Sequence, residues 1–221
     1  MNVSIVIPWR DQASRRYAKH EVVKWYDANY PEAIIHLVDT IDMPFNLAAC
    51  RNAGVMGAIT ADVVVIGDAD TIPEKRALDA AIGACEDSGA VHLPYTEYRS
   101  LRQDGTREYL TGTPIEDCDH FVVPGACSGI YVTTPSTWWR HGGQDERFRG
   151  WGFEDAAWFI AHTTILGTEP IRHEGRVYTF HHDSQAKEGT QYEANAARCY
   201  HYMQAAGDIA AMRELVFDGA P

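Results

Sequence analysis

Two short β-branched segments with a helical segment between them most constrain the fold of this chain. Residues 3–7 and 33–38 are predicted strands, and residues 14–29 carry apolar side chains at helical spacing. A strand, a helix and a second strand in this order form a β-α-β unit, which begins a parallel sheet. A third strand is expected at 62–66, where apolar residues occupy both faces and indicate a central position.

The rest of the chain continues the alternation of helices and strands. Asn46 can cap a helix that runs toward Gly57, and Pro73 is expected in the first turn of a helix ending near Gly89. The polar stretch 95–119 predicts a long excursion across the top of the sheet, with a hairpin as one alternative. Further strands are expected at 90–94, 127–133 and 176–180, and further helices at 135–140, 154–166, 191–206 and 208–217. These elements predict an α/β fold whose central sheet is mixed and mostly parallel, with a helical C-terminal tail.

Composition narrows the classes of partner. The chain has 221 residues, 45% of them hydrophobic, which is enough for one substantial core. Its formal net charge of -12 argues against general binding to nucleic acid or to an anionic membrane surface, which require Lys and Arg. No apolar run approaches the ~18 residues of a membrane span, and the N-terminus is expected to be a first strand rather than a signal peptide. Five cysteines without CxxC spacing favour a reduced, cytoplasmic protein, whose oligomeric state stays open.

Acidic residues follow three predicted strands at ends that share one crevice of an open sheet. The first strand leads into Pro8-Trp9-Arg10-Asp11, the second into Asp39, and the third into Asp68-Ala69-Asp70. Two aspartates at positions i and i+2 beyond a strand point to the same side, so one can coordinate a hard divalent ion while the other orients a ribose. An isolated DxD is more often an acidic turn that caps the next helix. The two further acidic strand ends favour a metal site here.

Two histidines at the end of the last predicted strand extend this metal hypothesis. His181 and His182 are weighed evenly between a metal-binding role and an ordinary core or surface role, and His182 is the preferred ligand. Carboxylates with a histidine suit Mn²⁺, with Mg²⁺ as the competing choice, and such an ion would neutralise a diphosphate. Arg51 and Asn52 lie on the helix that begins after Asn46 and can reach phosphates, with a helix-surface salt bridge as the alternative.

The segment 142–155, GGQDERFRGWGFED, predicts a shaped loop that ends at a helix. Gly142, Gly143, Gly150 and Gly152 permit backbone turns that other residues resist, and Glu154 and Asp155 begin the helix. The alternative is an ordinary glycine-rich connection. The position of the segment about seventy residues after the DxD motif favours a site built from both.

Five segments of the chain resemble, in the same order, segments of the GT-A fold glycosyltransferases. They are VSIVIPWRD, VD, FNLAACRNAG, VVVIGDAD and GACSGIYVTTPSTWWRHGGQDERFRGWGFEDAAW. The last segment is similar to the carboxy-terminal region of β-1,4-galactosyltransferases and bacterial chondroitin-type polymerases, whose pattern is a GG(F)DExFxGWGxED run. The resemblance covers residues 3 to about 182 and implies a Rossmann-like α/β/α sandwich. It also implies a metal-dependent transferase of the hexosyltransferase type, which moves a sugar from a nucleotide sugar, foremost a UDP-sugar, to an acceptor hydroxyl with inversion.

The resemblance also implies a role for each matching residue. The strand-end residues and Arg51 would bind the donor. Pro8, Trp9, Arg10 and Asp39 would lie near the base, and Asp68 and Ala69 near the ribose. Asp70 and His182 would bind Mn²⁺ or Mg²⁺, with Asp68 as a further ligand. Acceptor binding falls to Trp151 and Gly152 as the floor, with Glu154 and Asp155 binding acceptor hydroxyls. Asp155 is the preferred base. The acceptor, a glycan, protein or other hydroxyl compound, stays open.

Departures from the family pattern leave alternatives. Asp39 lacks the usual acidic pair followed by Gly-Ser, Gln144 replaces the aromatic of the GGFDE run, and the histidine strand reads TFHH instead of HxxH. The competing functions are a nucleotidyltransferase and a non-catalytic protein that binds carbohydrate or sugar nucleotide.

The predicted organisation is one transferase domain, 1–185, with a nucleotide-binding half at 1–95 and an acceptor half at 96–185. A helical extension, 186–221, is expected to pack on it.

Overall fold

The computed structural model of the protein describes residues 1–182 and 188–218. In chain order its strands are β1 (Val3–Pro8), β2 (Ile34–Val38), β3 (Val63–Gly67), β4 (Thr71–Pro73), β5 (His92–Leu93), β6 (Glu97–Leu101), β7 (His120–Val122), β8 (Ile130–Thr133), β9 (Ile171–Arg172) and β10 (Arg176–Thr179). The helices are α1 (Arg16–Asn29), α2 (Leu47–Gly57), α3 (Lys75–Ser88), α4 (Gln103–Leu110), α5 (Pro135–Arg140), α6 (Glu154–Leu166), α7 (Thr190–Gln204) and α8 (Ile209–Arg213). Short 3-10 turns at Ala13–Arg15 and Ile115–Asp117 and a π-helical turn at Glu214–Asp218 complete the described elements.

A six-stranded sheet in the order β2-β1-β3-β8-β5-β9 forms the centre of the protein. Strand β1 pairs in parallel with β2 and β3, and β5 pairs in parallel with β9, while β8 is antiparallel to both of its neighbours. All five residues of β3 are buried, as expected for a central strand covered on both faces. The predicted mixed, mostly parallel sheet is therefore confirmed.

A second sheet, β4-β10-β6-β7, lies beside the first and was not expected from the sequence. The stretch 95–119 is not an irregular excursion, since it contains β6, helix α4 and the turn Ile115–Asp117. Strands β6 and β7 do pair as antiparallel neighbours, with α4 between them. Gly105 lets α4 approach β7 closely, because a Cβ atom there would lie 1.9 Å from the carbonyl oxygen of Asp119. Because the side chains of this stretch are mostly polar, its strand and helix were not predicted from the sequence.

Pro73 marks a second difference from the sequence prediction. It ends strand β4, and helix α3 begins two residues later at Lys75. Proline is tolerated in β4 because this strand lies at the edge of the second sheet, where one side of its backbone has no strand to pair with. The predicted end of the helix is confirmed, since Gly89 adopts a left-handed conformation with φ of 66° directly after α3.

Helix α2 carries the chain from β2 to β3 and packs closely on β1. Asn46 caps it as predicted, because its side chain accepts a hydrogen bond from the backbone N–H of Ala49 at 3.1 Å. A Cβ atom at Gly54 would lie 2.1 Å from Cγ1 of Val6, so this position needs glycine for the helix to touch the sheet. The close contact places Arg51 in the wall of the crevice.

The C-terminal helices α7 and α8 pack against α6 over a small apolar core of their own. Its buried members are Phe148, Ala157, Ala161, Cys199, Tyr202, Ala205 and Met212. The predicted boundary at 185/186 lies outside the described residues, and the division into 1–185 and 186–221 stays a prediction. Within 1–182 and 188–218, no helix combines the length and the apolar character that a membrane crossing requires.

Candidate active site

One cavity of about 300 Å³ lies at the carboxyl ends of β1 and β3. The residues predicted as site residues that line it are Pro8, Trp9, Arg10, Arg51, Asp68, Ala69, Asp70, Trp151, Glu154, Asp155 and His182. Two other predicted residues, Asp39 and Gly152, are not part of the cavity wall. Segments more than 100 residues apart in sequence therefore meet at one place.

The two aspartates of the DxD segment have different partners. Strand β3 ends at Gly67, and the turn that follows is closed by a hydrogen bond from the N–H of Thr71 to the carbonyl of Asp68 at 3.2 Å. Asp68 Oδ1 accepts a 2.6 Å hydrogen bond from Arg51, whereas Asp70 Oδ2 lies 3.2 Å from Nε2 of His182. The first carboxylate is held by a cation, and the second faces a potential metal ligand.

The register between β10 and β4 brings His182 to Asp70. Thr179 pairs with Thr71, and the N–H of Phe180 donates to the carbonyl of Asp70 at 2.8 Å, so the chain leaves β10 directly beside the DxD turn. His181 is not part of this cavity wall: its N–H donates to Thr106 at 2.9 Å, and it lines a neighbouring cavity to which His182 also contributes. The geometry therefore distinguishes the two histidines and brings His182 to the carboxylate.

Asp70 and His182 supply one carboxylate oxygen and one imidazole nitrogen, a ligand set that suits Mn²⁺ and also Mg²⁺. Within residues 1–182 and 188–218, no group of three His, Cys, Asp or Glu side chains is arranged to hold a metal. The pair therefore fits a divalent cation that takes its remaining ligands from water or from a bound oxygen-rich molecule. Magnesium and manganese sites that include a substrate phosphate have this character.

Arg51 is buried, with only 1% of its surface exposed, and joins the two halves of the site. Besides Asp68, its guanidinium donates to Oε1 of Gln144 at 3.0 Å and lies 5.2 Å above the ring of Tyr131. Burial raises the pKa of Asp68 above its usual value, although the positive charge of Arg51 opposes this rise. Arg51 is thus not part of a helix-surface salt bridge. Gln144, the departure from the family pattern, adds a hydrogen bond to Arg51 that an aromatic residue would not provide.

Arg10 holds Asp39 at the edge of the cavity. Its Nε and NH2 atoms donate to the Asp39 carboxylate at distances from 2.8 to 3.1 Å, and the guanidinium lies 5.2 Å from the ring centre of Phe45. This hydrogen bonding lowers the pKa of Asp39. Asp39 therefore acts on the site through Arg10. Phe45, which is not among the predicted site residues, adds an aromatic face to the cavity wall.

Asn52 supports the 142–153 loop from behind. Its side chain accepts hydrogen bonds from Trp138 Nε1 and the N–H of Gln144, both at 3.0 Å, and donates to the Gln144 carbonyl and to Glu146 Oε1. Gly143, with φ of 67°, is required here because a Cβ atom would lie 2.5 Å from Asn52 Oδ1. Asn52 does not line the cavity. In the RNxG segment it is a structural residue, whose hydrogen bonds hold the 142–153 loop.

The exposed face of the 142–153 loop, the predicted acceptor-side loop, is aromatic. Trp151 is 40% exposed, and the ring of Tyr192 in α7 is parallel to it within 9° at a centroid distance of 6.0 Å. Asn195, one helical turn further along α7 and 1% exposed, donates to the carbonyls of Arg149, Trp151 and Gly152 at 2.8, 3.3 and 3.2 Å. The C-terminal helix therefore fixes the backbone that carries Trp151. No sequence motif had indicated Asn195 or Tyr192.

Two carboxylates occupy the first turn of α6, where the helix dipole favours negative charge. Phe153 directly before them has φ of 75°, an uncommon backbone angle for a residue other than glycine. Burial, together with the nearby charge of Asp155, raises the pKa of Glu154 to about 7. The carboxyl groups of Glu154 and Asp155 lie in the same cavity as Asp70 and His182.

No protein-family model matches the chain, and none of the curated proteins matches it in sequence. The fold does match solved structures. The catalytic domain of Drosophila beta1,4-galactosyltransferase 7 in complex with xylobiose has a TM-score of 0.61 at 17% identity, and the match covers 88% of this chain and 79% of that one. A mutant of that enzyme in complex with manganese, UDP-Gal and xylobiose has a TM-score of 0.56 at 18% identity, with 88% and 79% covered.

A second enzyme with the same architecture is glucosyl-3-phosphoglycerate synthase from Mycobacterium tuberculosis in complex with Mn²⁺, UDP and phosphoglyceric acid. Its TM-score is 0.56 at 13% identity, and the match covers 94% of this chain and 79% of that one. At these identities the likeness shows a shared fold. The GT-A fold that the sequence motifs predicted is thereby confirmed.

Proposed function

We propose that the protein is a metal-dependent glycosyltransferase of the hexosyltransferase type. It moves a sugar from a nucleotide sugar, foremost a UDP-sugar, to an acceptor hydroxyl with inversion at the anomeric carbon. The observation that carries this proposal is that one cavity holds both the Asp70–His182 pair and the Glu154–Asp155 carboxylates. The ligands of the similar structures, which are UDP or UDP-Gal with Mn²⁺ and a sugar or sugar-acid acceptor, support the same reaction class.

The donor side of the cavity binds the nucleoside diphosphate part of the donor. The base lies against Pro8, Trp9 and Arg10, with Asp39 orienting Arg10 from outside the cavity. Asp68, together with Ala69, contacts the ribose, and Arg51 holds the Asp68 carboxylate in place. These assignments use the strand-end position of each residue, where ligands of open α/β sheets bind.

Asp70 and His182 hold the divalent cation in this proposal. When bound, Mn²⁺ or Mg²⁺ neutralises the diphosphate leaving group as a Lewis acid. Asp68, predicted as a further metal ligand, has Arg51 as its partner, so its part near the cation is to orient the ribose or a water molecule. Asp70 is buried with a side-chain exposure of 10%, which strengthens its interaction with a cation.

The acceptor side uses Trp151 as a platform, with Gly152 beneath it. The apolar face of a sugar ring stacks on an indole, and Trp151 is 40% exposed. Asp155 removes the proton of the acceptor hydroxyl as its oxygen attacks the anomeric carbon and the nucleotide diphosphate leaves from the opposite face. Glu154 binds a second acceptor hydroxyl, and with its raised pKa it can also donate a hydrogen bond when protonated.

We also propose a location for the protein in the cell, based on its cysteines. The thiols of Cys50, Cys85, Cys118, Cys127 and Cys199 are all free, and four of them are buried. Free buried thiols are typical of reducing compartments, which supports a cytoplasmic location. The acceptor is a glycan, a protein or another hydroxyl compound.

A thermal-shift panel tests the proposed function. UDP, UDP-sugars and GDP-mannose are added with and without Mn²⁺ to the wild type, to Asp70→Asn and to the control Asp104→Asn, whose carboxylate is exposed. A donor that binds only the folded state adds about 2.7 kcal/mol at a concentration of 100 Kd. We expect the UDP compounds to raise Tm only with Mn²⁺, and Asp70→Asn alone to abolish the shift. UDP binding that is indifferent to Mn²⁺ would contradict the proposal.

A further inference from the structure

Arg15 occupies the space between the two proposed metal ligands. It ends the 3-10 turn Ala13–Arg15, between β1 and α1, and its side chain enters the cavity with 30% exposure. One guanidinium nitrogen lies 2.9 Å from Nδ1 of His182, and the other lies 3.7 Å from Oδ2 of Asp70. With the 3.2 Å contact between Nε2 of His182 and the same Asp70 oxygen, the three side chains form a closed triangle.

The contact between Arg15 and His182 determines where the imidazole carries its proton. A guanidinium has five N–H donors and no acceptor, so Nδ1 of His182 must accept through its lone pair. In the neutral ring the proton is then on Nε2, which donates toward Asp70. A histidine binds a metal through an unprotonated nitrogen, and in this arrangement the lone pair of His182 faces Arg15 while Nε2 is protonated.

Arg15 also places a positive charge 3.7 Å from Oδ2 of Asp70. The other two arginines of the cavity wall are bound to different carboxylates, Arg10 to Asp39 and Arg51 to Asp68. A guanidinium binds phosphate oxygens through paired N–H donors, so a diphosphate in this cavity offers Arg15 a stronger partner than a neutral imidazole. Movement of Arg15 to a phosphate would release both His182 and Asp70.

We propose that Arg15 is a positioning residue that couples donor binding to metal binding. While no donor is bound, it keeps His182 in the tautomer that cannot ligate through Nε2; the donor diphosphate draws the guanidinium away and opens the Asp70–His182 pair. This inference rests on the proposed function, because it needs the pair to be the metal site. The linkage is reciprocal, so the factor by which UDP strengthens Mn²⁺ binding equals the factor by which Mn²⁺ strengthens UDP binding.

Direct Mn²⁺ titration, followed by the electron paramagnetic resonance of the free ion, tests the coupling without any turnover. The proteins are the wild type, Arg15→Met, Asp70→Asn, and the control Arg16→Met, whose arginine forms an exposed ion pair with Asp11. Each is titrated with and without UDP. We expect Arg15→Met to bind Mn²⁺ alone about fivefold more tightly than the wild type, and the strengthening by UDP to fall by about the same factor.

The outcomes separate this inference from the proposed function. If Asp70→Asn binds Mn²⁺ like the wild type, the metal site is elsewhere and both proposals fail. If Asp70→Asn loses Mn²⁺ while Arg15→Met equals Arg16→Met with and without UDP, the metal site stands and the coupling by Arg15 is refuted.

The tautomer of His182 provides a second, independent readout. In protein labelled with ¹⁵N histidine and free of metal, two-bond ¹H–¹⁵N correlations distinguish a protonated Nε2 from a protonated Nδ1, and His182→Gln assigns the signal. We expect a protonated Nε2 and an unprotonated Nδ1 in the wild type, as the contacts with Asp70 and Arg15 require. A ring protonated at Nδ1 would overturn the inference, whatever the Mn²⁺ affinities are.

Discussion

The guanidinium of Arg51 donates to Oδ1 of Asp68 at 2.6 Å and connects the DxD turn to helix α2. Only 1% of Arg51 is exposed, against 25% of the Asp68 side chain, so the cation is the more deeply buried partner. Its second bond, to Gln144, extends the connection to the acceptor-side loop. Arg51 thus links the DxD turn to the 142–153 loop through two hydrogen bonds.

Removal of Arg51 should therefore destabilise the protein and not merely weaken ligand binding. Breaking a buried ion pair from one side leaves an uncompensated charge, and we expect Arg51→Met to lower the free energy of unfolding by about 2–4 kcal/mol. Urea denaturation measures this, with Arg76→Met at an exposed position of α3 as the control. Equal stability of the two variants would show that Arg51 has no structural part.

Asp155→Asn should separate donor binding from chemistry. The amide keeps the shape of the side chain but cannot accept a proton, so the thermal shift with UDP and Mn²⁺ should match that of the wild type. General-base catalysis typically contributes 10²–10⁴-fold, and we expect a loss of at least about 10² in kcat for hydrolysis of a UDP-sugar. Normal turnover by this variant would assign the base to another residue.

The parallel rings of Trp151 and Tyr192 predict an acceptor site that extends beyond one sugar ring. An aromatic stacking contact is worth about 0.5–1.5 kcal/mol, so Trp151→Ala should raise KM for the acceptor up to about tenfold. Tyr192→Ala should raise KM for a disaccharide acceptor but not for the corresponding monosaccharide, and Tyr192→Phe, which keeps the ring, should behave like the wild type. Equal effects on both acceptors would place Tyr192 outside the site.

Asn195→Ala should loosen the acceptor-side loop from α7. The substitution leaves the carbonyls of Arg149, Trp151 and Gly152 without their side-chain donor. Buried polar groups that lose a hydrogen bond cost about 1–3 kcal/mol, and we expect a comparable loss of stability in urea denaturation. Gln204→Ala, at an exposed position near the end of the same helix, is the matched control, and a loss no larger than its own would count against this account.

Glu154 should make stability depend on pH in a direction that is unusual for a carboxylate. Folding raises its pKa from 4.5 to about 7, so its contribution is fully present below pH 4.5 and is lost as the pH rises through 7. Glu154→Gln removes the ionisation, and we expect it to be more stable than the wild type by about 1–3 kcal/mol at pH 8, with no difference at pH 4.

Denaturation series from pH 4 to 8 on both proteins measure the difference directly. Glu169→Gln, at an exposed position after α6, should show no such trend. A Glu154→Gln variant that is less stable than the wild type at pH 8 would mean that the Glu154 carboxylate is stabilised by the fold.

The local parts of this protein could be predicted because their causes are local. Residues 46–57 carry both the cap and the glycine that α2 needs, and residues 154–166 match α6 because acidic residues start it and Gly167 ends it. The DxD turn and the 142–155 loop were recognisable from residue types alone. The second sheet was not, since β10 was the one strand of it that the sequence predicted: β4 and β7 have only three residues each, and β6 lies in a polar stretch.

By itself, the sequence determined the class of fold, the central strand and most of the side chains that line the cavity, because apolar periodicity and strand-end position are properties of short segments. Only the tertiary structure decided which of them face each other. The proximity of His182 to Asp70 follows from the register of β10 on β4, and the support of Trp151 by Asn195 follows from the packing of α7 on α6. These contacts join residues 44 to 112 positions apart, and a pairing over such a distance depends on how whole elements pack.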